Sequence, residues 1–187
     1  MKIKLLKFKS VKSTNNVALR LIKKKKLTPT IILSEKQSHG RGTMGKEWIS
    51  KKGNLFFSIY FEFNKKKIDF KNYAVLNAYL LKRIISNETS KKIKIKWPND
   101  LLFKKKKICG ILQEVVNYKE KKFLIVGIGI NTNFDPQNKG FSSTCLKDIT
   151  NKKINNNKVL NKIKNLYEKF LIKTERYSYT DLKKLYN

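Results

Sequence analysis

The chain holds one histidine, His39, and two cysteines, Cys109 and Cys145. Neither cysteine belongs to a C-x-x-C pair, so the usual nitrogen and sulfur ligands of a structural zinc site cannot be assembled, and a disulfide framework is not needed. Two reduced thiols suit a cytoplasmic protein. No run of about 18 apolar residues occurs, which excludes a membrane-spanning helix, and the basic start KIKLLKFKS lacks the apolar core of a signal peptide. Acidic residues are scarce, 13 Asp and Glu against 44 Lys and Arg, for a formal charge of +31. Arginine is scarcer still: only Arg20, Arg41, Arg83 and Arg176. The lysines are spread along the whole chain instead of gathering with aromatics, so specific DNA binding is not expected, although weak attraction to polyanions follows from the charge. At 187 residues one domain with a self-sufficient core is expected.

What is present is concentrated in SEKQSHGRGTMGKEW, Ser34 to Trp48. It follows the apolar run Ile31-Ile32-Leu33, which reads as a buried strand. Gly40, Gly42 and Gly45 are interleaved with Arg41 and Lys46. Glycines at this density allow a ligand close to the backbone, and the two cations suit a carboxylate or phosphate. Gly40 to Lys46 also fits the first seven positions of a P-loop. The eighth position is Glu47 instead of Ser or Thr, and the aromatic run Asn54 to Phe61 that follows reads as a strand instead of the required helix.

Before the loop, Ser13-Thr14-Asn15-Asn16 precedes Val17, Ala18, Leu21 and Ile22, a cap followed by an apolar stripe, predicting a helix from about residue 14. Lys65-Lys66-Lys67 reads as a basic turn. Residues 70 to 86 are apolar nearly all round and predict a helix packed on a sheet. Lys92 to Trp97 alternates as a strand with one buried face, stopped by Pro98, which displays Asn99 and Asp100 at its end. Ile108 to Val116 is the next strand, joined to the previous one as a hairpin through Lys104 to Lys107. Phe123 to Ile130 is a buried strand whose alternating Gly127 and Gly129 leave one face bare, to be filled by a neighbouring element or by a flat ligand. Asn151 to Lys158 reads as a polar loop. An amphipathic helix over residues 159 to 171 and a short terminal helix complete the pattern.

Four ordered stretches, Ser13-Thr14-Asn15, the GRGTMGKEW loop, KWPND with Lys107 and Gly110 beyond it, and GIGIN ending at Asn131, resemble the biotin–protein ligases. The resemblance implies an α/β (α+β) fold, a mixed sheet flanked by helices like the catalytic domain of class II aminoacyl-tRNA synthetases. It implies an ATP-dependent enzyme that joins biotin to AMP and then transfers it to a lysine of the biotin carboxyl carrier protein of acetyl-CoA carboxylase. Carried over residue by residue, Arg41 and Lys107 are catalytic. Ser13, Thr14, Asn15, Gln37, Arg41, Gly42, Thr43, Lys107 and Gly110 bind biotin. Gly40, Lys46, Trp48, Lys96, Asn99 and Asn131 meet ATP. Biotin, ATP and magnesium are the small-molecule requirements, with the metal riding on phosphates and no protein metal site. The implied setting is the cytoplasm, away from membranes, and a homodimer is compatible with the resemblance.

Three features depart from that family. Thr43 stands where a further arginine is frequent. Residues 1 to 187 read as the catalytic domain alone, without the N-terminal helix-turn-helix of some members and without the C-terminal β-barrel of many. A lipoate–protein ligase is the nearest alternative, but its run of consecutive glycines is missing. A non-catalytic basic nucleic-acid-binding protein is the alternative of another class.

Overall fold

In the computed structural model, which describes residues 1–64, 66–137 and 140–187, seven strands among the described residues form one sheet. They are β1 (Lys4–Phe8), β2 (Thr30–Ser34), β3 (Leu55–Glu62), β4 (Lys94–Lys96), β5 (Asp100–Phe103), β6 (Lys106–Tyr118) and β7 (Lys121–Ile130). Their order is β1-β2-β3-β7-β6-β5-β4. Only β1 and β2 pair in parallel, and α1 (Thr14–Lys23) connects them, as a parallel pair requires. The other neighbours are antiparallel, so the sheet is mixed, as the resemblance implies.

Period-2 alternation sorts the side chains into two layers. On one face Leu55, Phe57, Ile59 and Phe61 of β3 join Leu124, Val126, Ile128 and Ile130 of β7. Helices α2 (Phe70–Thr89), α4 (Asn156–Thr174) and α5 (Tyr179–Tyr186) contribute to that same core through Leu76, Leu80, Ile163, Phe170 and Leu182. Each large apolar side chain buried there contributes about 1.5–3 kcal/mol. On the opposite face α1 lays Val17, Ala18 and Ile22 over Ile32, Tyr60, Phe123 and Ile125. This smaller layer covers only part of the sheet. The uncovered part of that face holds the glycines of β6 and β7.

Several elements differ from their sequence reading. β1 was not predicted: Ile3 and Leu5 reach the large core, but Leu6 and Phe8 remain 37% exposed among lysines, so no clean alternation shows. β5 was not predicted either. It pairs between β4 and β6, so the hairpin partner of β6 is β5 and not the Lys92–Trp97 strand, of which only Lys94–Lys96 pairs. Lys106 and Lys107 belong to β6, and the turn is Lys104-Lys105, both at positive φ. The Trp97–Pro98 bond is cis. Asn156 to Lys158 open α4 instead of closing a loop, capped by the Asn155 side chain, and the short α3 (Leu146–Thr150) has too few residues to show a period. Of the basic turn at Lys65 to Lys67, Lys65 lies outside the described residues. No described helix is long and apolar enough to cross a membrane.

One tertiary contact gives a pH prediction. Glu168 of α4 accepts hydrogen bonds from Lys164 Nζ (2.7 Å) and from Ile3 N (2.8 Å), tying β1 to α4. The lysine, then the Ile3 N–H, hold its carboxyl below the usual carboxylate range. A folded pKa below the unfolded one stabilises above the unfolded value, and that contribution is lost as pH falls through the folded value. Glu168→Gln should therefore lower stability near neutrality, by no more than the ~1 kcal/mol typical of a partly exposed ion pair, and have less effect at acid pH where the carboxyl is protonated, read by thermal melts at both pH values.

Candidate functional site

The uncovered stretch of the sheet is a hollow built by three glycines. Gly110 of β6 is the register partner of Gly129 of β7, and Leu112 is that of Gly127. A Cβ at Gly127 would stand 2.3 Å from Asn15 Oδ1, and one at Gly129 would stand 2.3 Å from Trp48 Nε1. A Cβ at Gly110 would stand 2.6 Å from Trp48 Cζ3. Of the two occupants the sequence leaves open for this bare face, the structure shows side chains of the chain itself.

The first turn of α1 forms one wall. Ser13, Thr14 and Asn15 are all buried there. Ser13 occupies the cap position but makes no side-chain cap bond. The free amide of Thr14 is instead taken by Gln37 Oε1 at 2.8 Å, so the loop after β2 caps the helix. Gln37 Nε2 donates to Ser50 Oγ (2.9 Å), which donates to Trp48 O (2.9 Å). The Ser58 hydroxyl lies 2.7 Å from Thr14 Oγ1 and 2.5 Å from Asn15 Oδ1. It has one proton, and Asn15 Oδ1 has none to give, so the Ser58 proton goes to Asn15 and Thr14 turns its own toward Ser58 or Gln37. Asn15 Nδ2 then donates to Glu114 Oε2 at 2.7 Å. Buried polar groups of α1 and β3 are thereby chained to the half-buried Glu114 of β6, which fixes their orientation toward the hollow.

The glycine-rich loop forms the opposite wall. Gly42 N donates to Lys46 O (2.7 Å) and Trp48 N to Gly40 O (2.8 Å), so the loop folds back on itself. Its only helical piece is a single 3-10 turn, Thr43–Gly45, and β3 follows, which rules out P-loop geometry. Arg41 Nη2 meets Glu114 Oε2 at 2.5 Å. Lys107 enters from β6, its Nζ 2.7 Å from Asp100 Oδ1 and about equally far from two rings, 5.1 Å from that of Trp48 and 4.9 Å from that of Phe141. Each of these two cations thus has a carboxylate partner.

Ser13, Thr14, Asn15, Gln37, Arg41, Gly42, Thr43, Lys46, Trp48, Asn99, Lys107 and Gly110 line a single cavity. Three sequence-nominated residues do not. Gly40 packs in the loop's stem, where a Cβ would stand 2.3 Å from Trp48 O. Lys96 lies on β4, exposed. Asn131 sits fully buried behind the wall, its Nδ2 donating to Lys107 O (3.4 Å) and Thr144 O (3.3 Å), so that it steadies the strand bearing Lys107. Asn99 does reach the cavity, clasping β6 through Ile111 O (3.2 Å) and approaching Thr43 Oγ1 (3.5 Å). Glu114 was missed. The available signal was its position four residues after Gly110, on the same face of an alternating strand. Asp100 was seen as a displayed turn residue but not as the partner of Lys107. A larger cavity of about 680 Å³ lies elsewhere, between Phe61, Phe63, Tyr73 and Thr174, and collects none of these groups.

Residues 7–131 match the biotin/lipoate A/B protein ligase family. The chain is 32% identical over 126 residues to the bifunctional ligase/repressor BirA of Bacillus subtilis, covering 66% of this chain and 39% of that protein. It is 28% identical over 182 residues to BirA of Bacillus spizizenii, covering 94% and 56% respectively. It therefore spans from about two fifths to somewhat over half the length of these curated relatives. Among solved structures, the biotin protein ligase of Aquifex aeolicus in complex with biotin and ATP superposes with a TM-score of 0.77 at 31% identity, over 95% of this chain and 74% of that one. An archaeal lipoate protein ligase from Thermoplasma acidophilum, at a TM-score of 0.62 and 11% identity, shares the fold.

Proposed function

The chain belongs to the biotin/lipoate A/B protein ligase family, and from that premise we propose that it activates biotin with ATP and transfers it to a lysine of a biotin carboxyl carrier protein. The observation that carries this reading is the pair Arg41 and Lys107 converging on a glycine-floored hollow whose walls hold Thr14, Asn15 and Gln37. The Aquifex relative of the same fold binds biotin and ATP, which supports the choice of ligands.

The chemistry asks for this arrangement. The biotin carboxylate attacks the α-phosphate of ATP, forming the biotinyl–AMP anhydride and releasing pyrophosphate. Two anions must approach, and charge grows on phosphorus as they do, so fixed cations contribute most at that point. Arg41 and Lys107 supply them once their bonds to Glu114 and Asp100 are exchanged for substrate oxygens. The buried hydroxyl of Thr14 and amide of Asn15, with the half-buried amide of Gln37, suit the ureido ring of biotin, a neutral group with both donors and acceptors. Lys46, Asn99 and Trp48 are assigned to the nucleotide. Magnesium would arrive on the phosphates, keeping most of its waters. In the second step the acceptor lysine attacks the anhydride carbonyl and AMP leaves. A cytoplasmic setting and the carrier subunit of acetyl-CoA carboxylase as acceptor belong to this proposal.

Purified protein incubated with biotin, ATP and magnesium should release pyrophosphate and accumulate biotinyl-adenylate. Pyrophosphate release that does not depend on biotin would overturn the assignment. Retention of the intermediate is a separate matter. Thr43 lines the cavity without a charge. Thr43→Arg should slow release of biotinyl-adenylate about tenfold, the value of one added charged hydrogen bond to phosphate, measured by chasing preloaded protein with unlabelled ligand.

A further inference from the structure

The hollow is already full. Trp48 comes from the loop and rests directly on the backbone of Gly110 and Gly129, close enough that a Cβ on either would overlap its ring. Its Nε1–H is buried and has no hydrogen-bond partner among the described residues. What remains of the cavity is about 60 Å³. A water occupies about 30 Å³ and pockets for small organic ligands run to about 300 Å³ or more, so the residual space admits solvent but no bicyclic acid.

A buried indole N–H without an acceptor is costly, on the order of 1–3 kcal/mol. A side chain held at such a cost is easily displaced by a ligand that fills the same space and satisfies its polar neighbours. The rest of the site matches this state. Arg41 is engaged by Glu114 and Lys107 by Asp100, and Lys107 Nζ also faces the Trp48 ring. The residues that would grip an anion are thus occupied with partners from the chain itself.

We propose that Trp48 is an internal plug: in the ligand-free protein its indole occupies the slot over Gly110 and Gly129 that the acyl substrate must enter, and the substrate expels it. The identity of that substrate rests on the function proposed above, but the seating of the plug does not. Trp48 shares its loop with Arg41 and Lys46, so expulsion of the ring also shifts the cations needed next. Binding is thereby coupled to assembly of the phosphate-facing loop.

The chain has two tryptophans, and Trp97 is half exposed and packs on Tyr79, with ring centroids 5.8 Å apart. Trp97→Phe leaves Trp48 as the sole indole reporter. Acrylamide quenching of this protein should be several-fold weaker than that of the Gly129→Ala/Trp97→Phe double variant, in which a Cβ unseats the ring. Saturating biotin should raise quenching of the single variant several-fold, with calorimetry on the same sample recording binding. If Gly129→Ala does not fold, Gly110→Ala gives the same readout from the other side of the slot. Equal quenching in the single and double variants overturns the plug, because Trp48 was never seated. Heat on adding biotin with unchanged quenching also overturns it, and leaves the proposed function intact. No heat with biotin removes the proposed function and, with it, the ligand assigned to expel the ring.

Discussion

Lys107→Ala should form biotinyl-adenylate about 100- to 1000-fold more slowly than the parent protein while weakening biotin binding less than about tenfold. The asymmetry follows from where the charge is needed. In the proposed ground-state complex the biotin carboxylate carries a single charge that Arg41 and solvent would also offset. As the bond to phosphorus forms, the two anions are forced together, and a removed cation is missed most at that moment. Lys107 is suited to this position and its neighbours in the run are not. Its side chain is 17% exposed, held over two rings beside Asp100, whereas Lys105 lies in the turn that joins β5 and β6. Lys105→Ala should match the parent. Adenylate formation at parental rate in both variants, followed by single-turnover pyrophosphate release, would reduce Lys107 to one more surface lysine.

Gly127→Val should weaken biotin binding about 100-fold, the loss expected when two hydrogen bonds to a buried polar ligand go missing. The added side chain begins where Asn15 Oδ1 now lies, 2.3 Å from the new Cβ. Asn15 is buried and joined to Ser58 and Glu114, so it cannot move without breaking both bonds. Overpacking of this kind also costs about 1–3 kcal/mol of stability. Circular dichroism distinguishes an unfolded variant from a folded one that no longer binds. Calorimetry giving a biotin Kd within twofold of the parent, on folded Gly127→Val, would show that Asn15 and this face have no part in the site.

How far the sequence foretold these features depended on how local their causes are. Glycine spacing, the Pro98 stop and the apolar strand Phe123 to Ile130 are local, and they located the loop, the displayed Asn99 and the bare face. The partner of a bare face is not local. That Gly110 lies opposite Gly129 depends on the β6–β7 register, and that Trp48 and Asn15 fill the space depends on where a loop and a helix end come to rest. Asn15 read as a capping residue, yet Ser13 holds the cap position and Asn15, inside α1, turns its side chain to Ser58 and Glu114 on the sheet. Glu114 shares a strand face with Gly110, four residues before it, but what that placement means came only with Arg41, its ion-pair partner. β1 and β5 escaped notice because one is half exposed among lysines and the other has four residues between a turn and a basic run.

Transfer of label from biotin to an acceptor lysine is the most direct test. Protein, labelled biotin, ATP, magnesium and an isolated biotin-acceptor domain should yield acceptor carrying one biotin at a lysine, together with AMP and pyrophosphate, and the yield should collapse with Lys107→Ala. An acceptor left unlabelled, with no biotinyl-adenylate formed by protein shown to be folded, would contradict the assignment of Arg41 and Lys107 to this reaction.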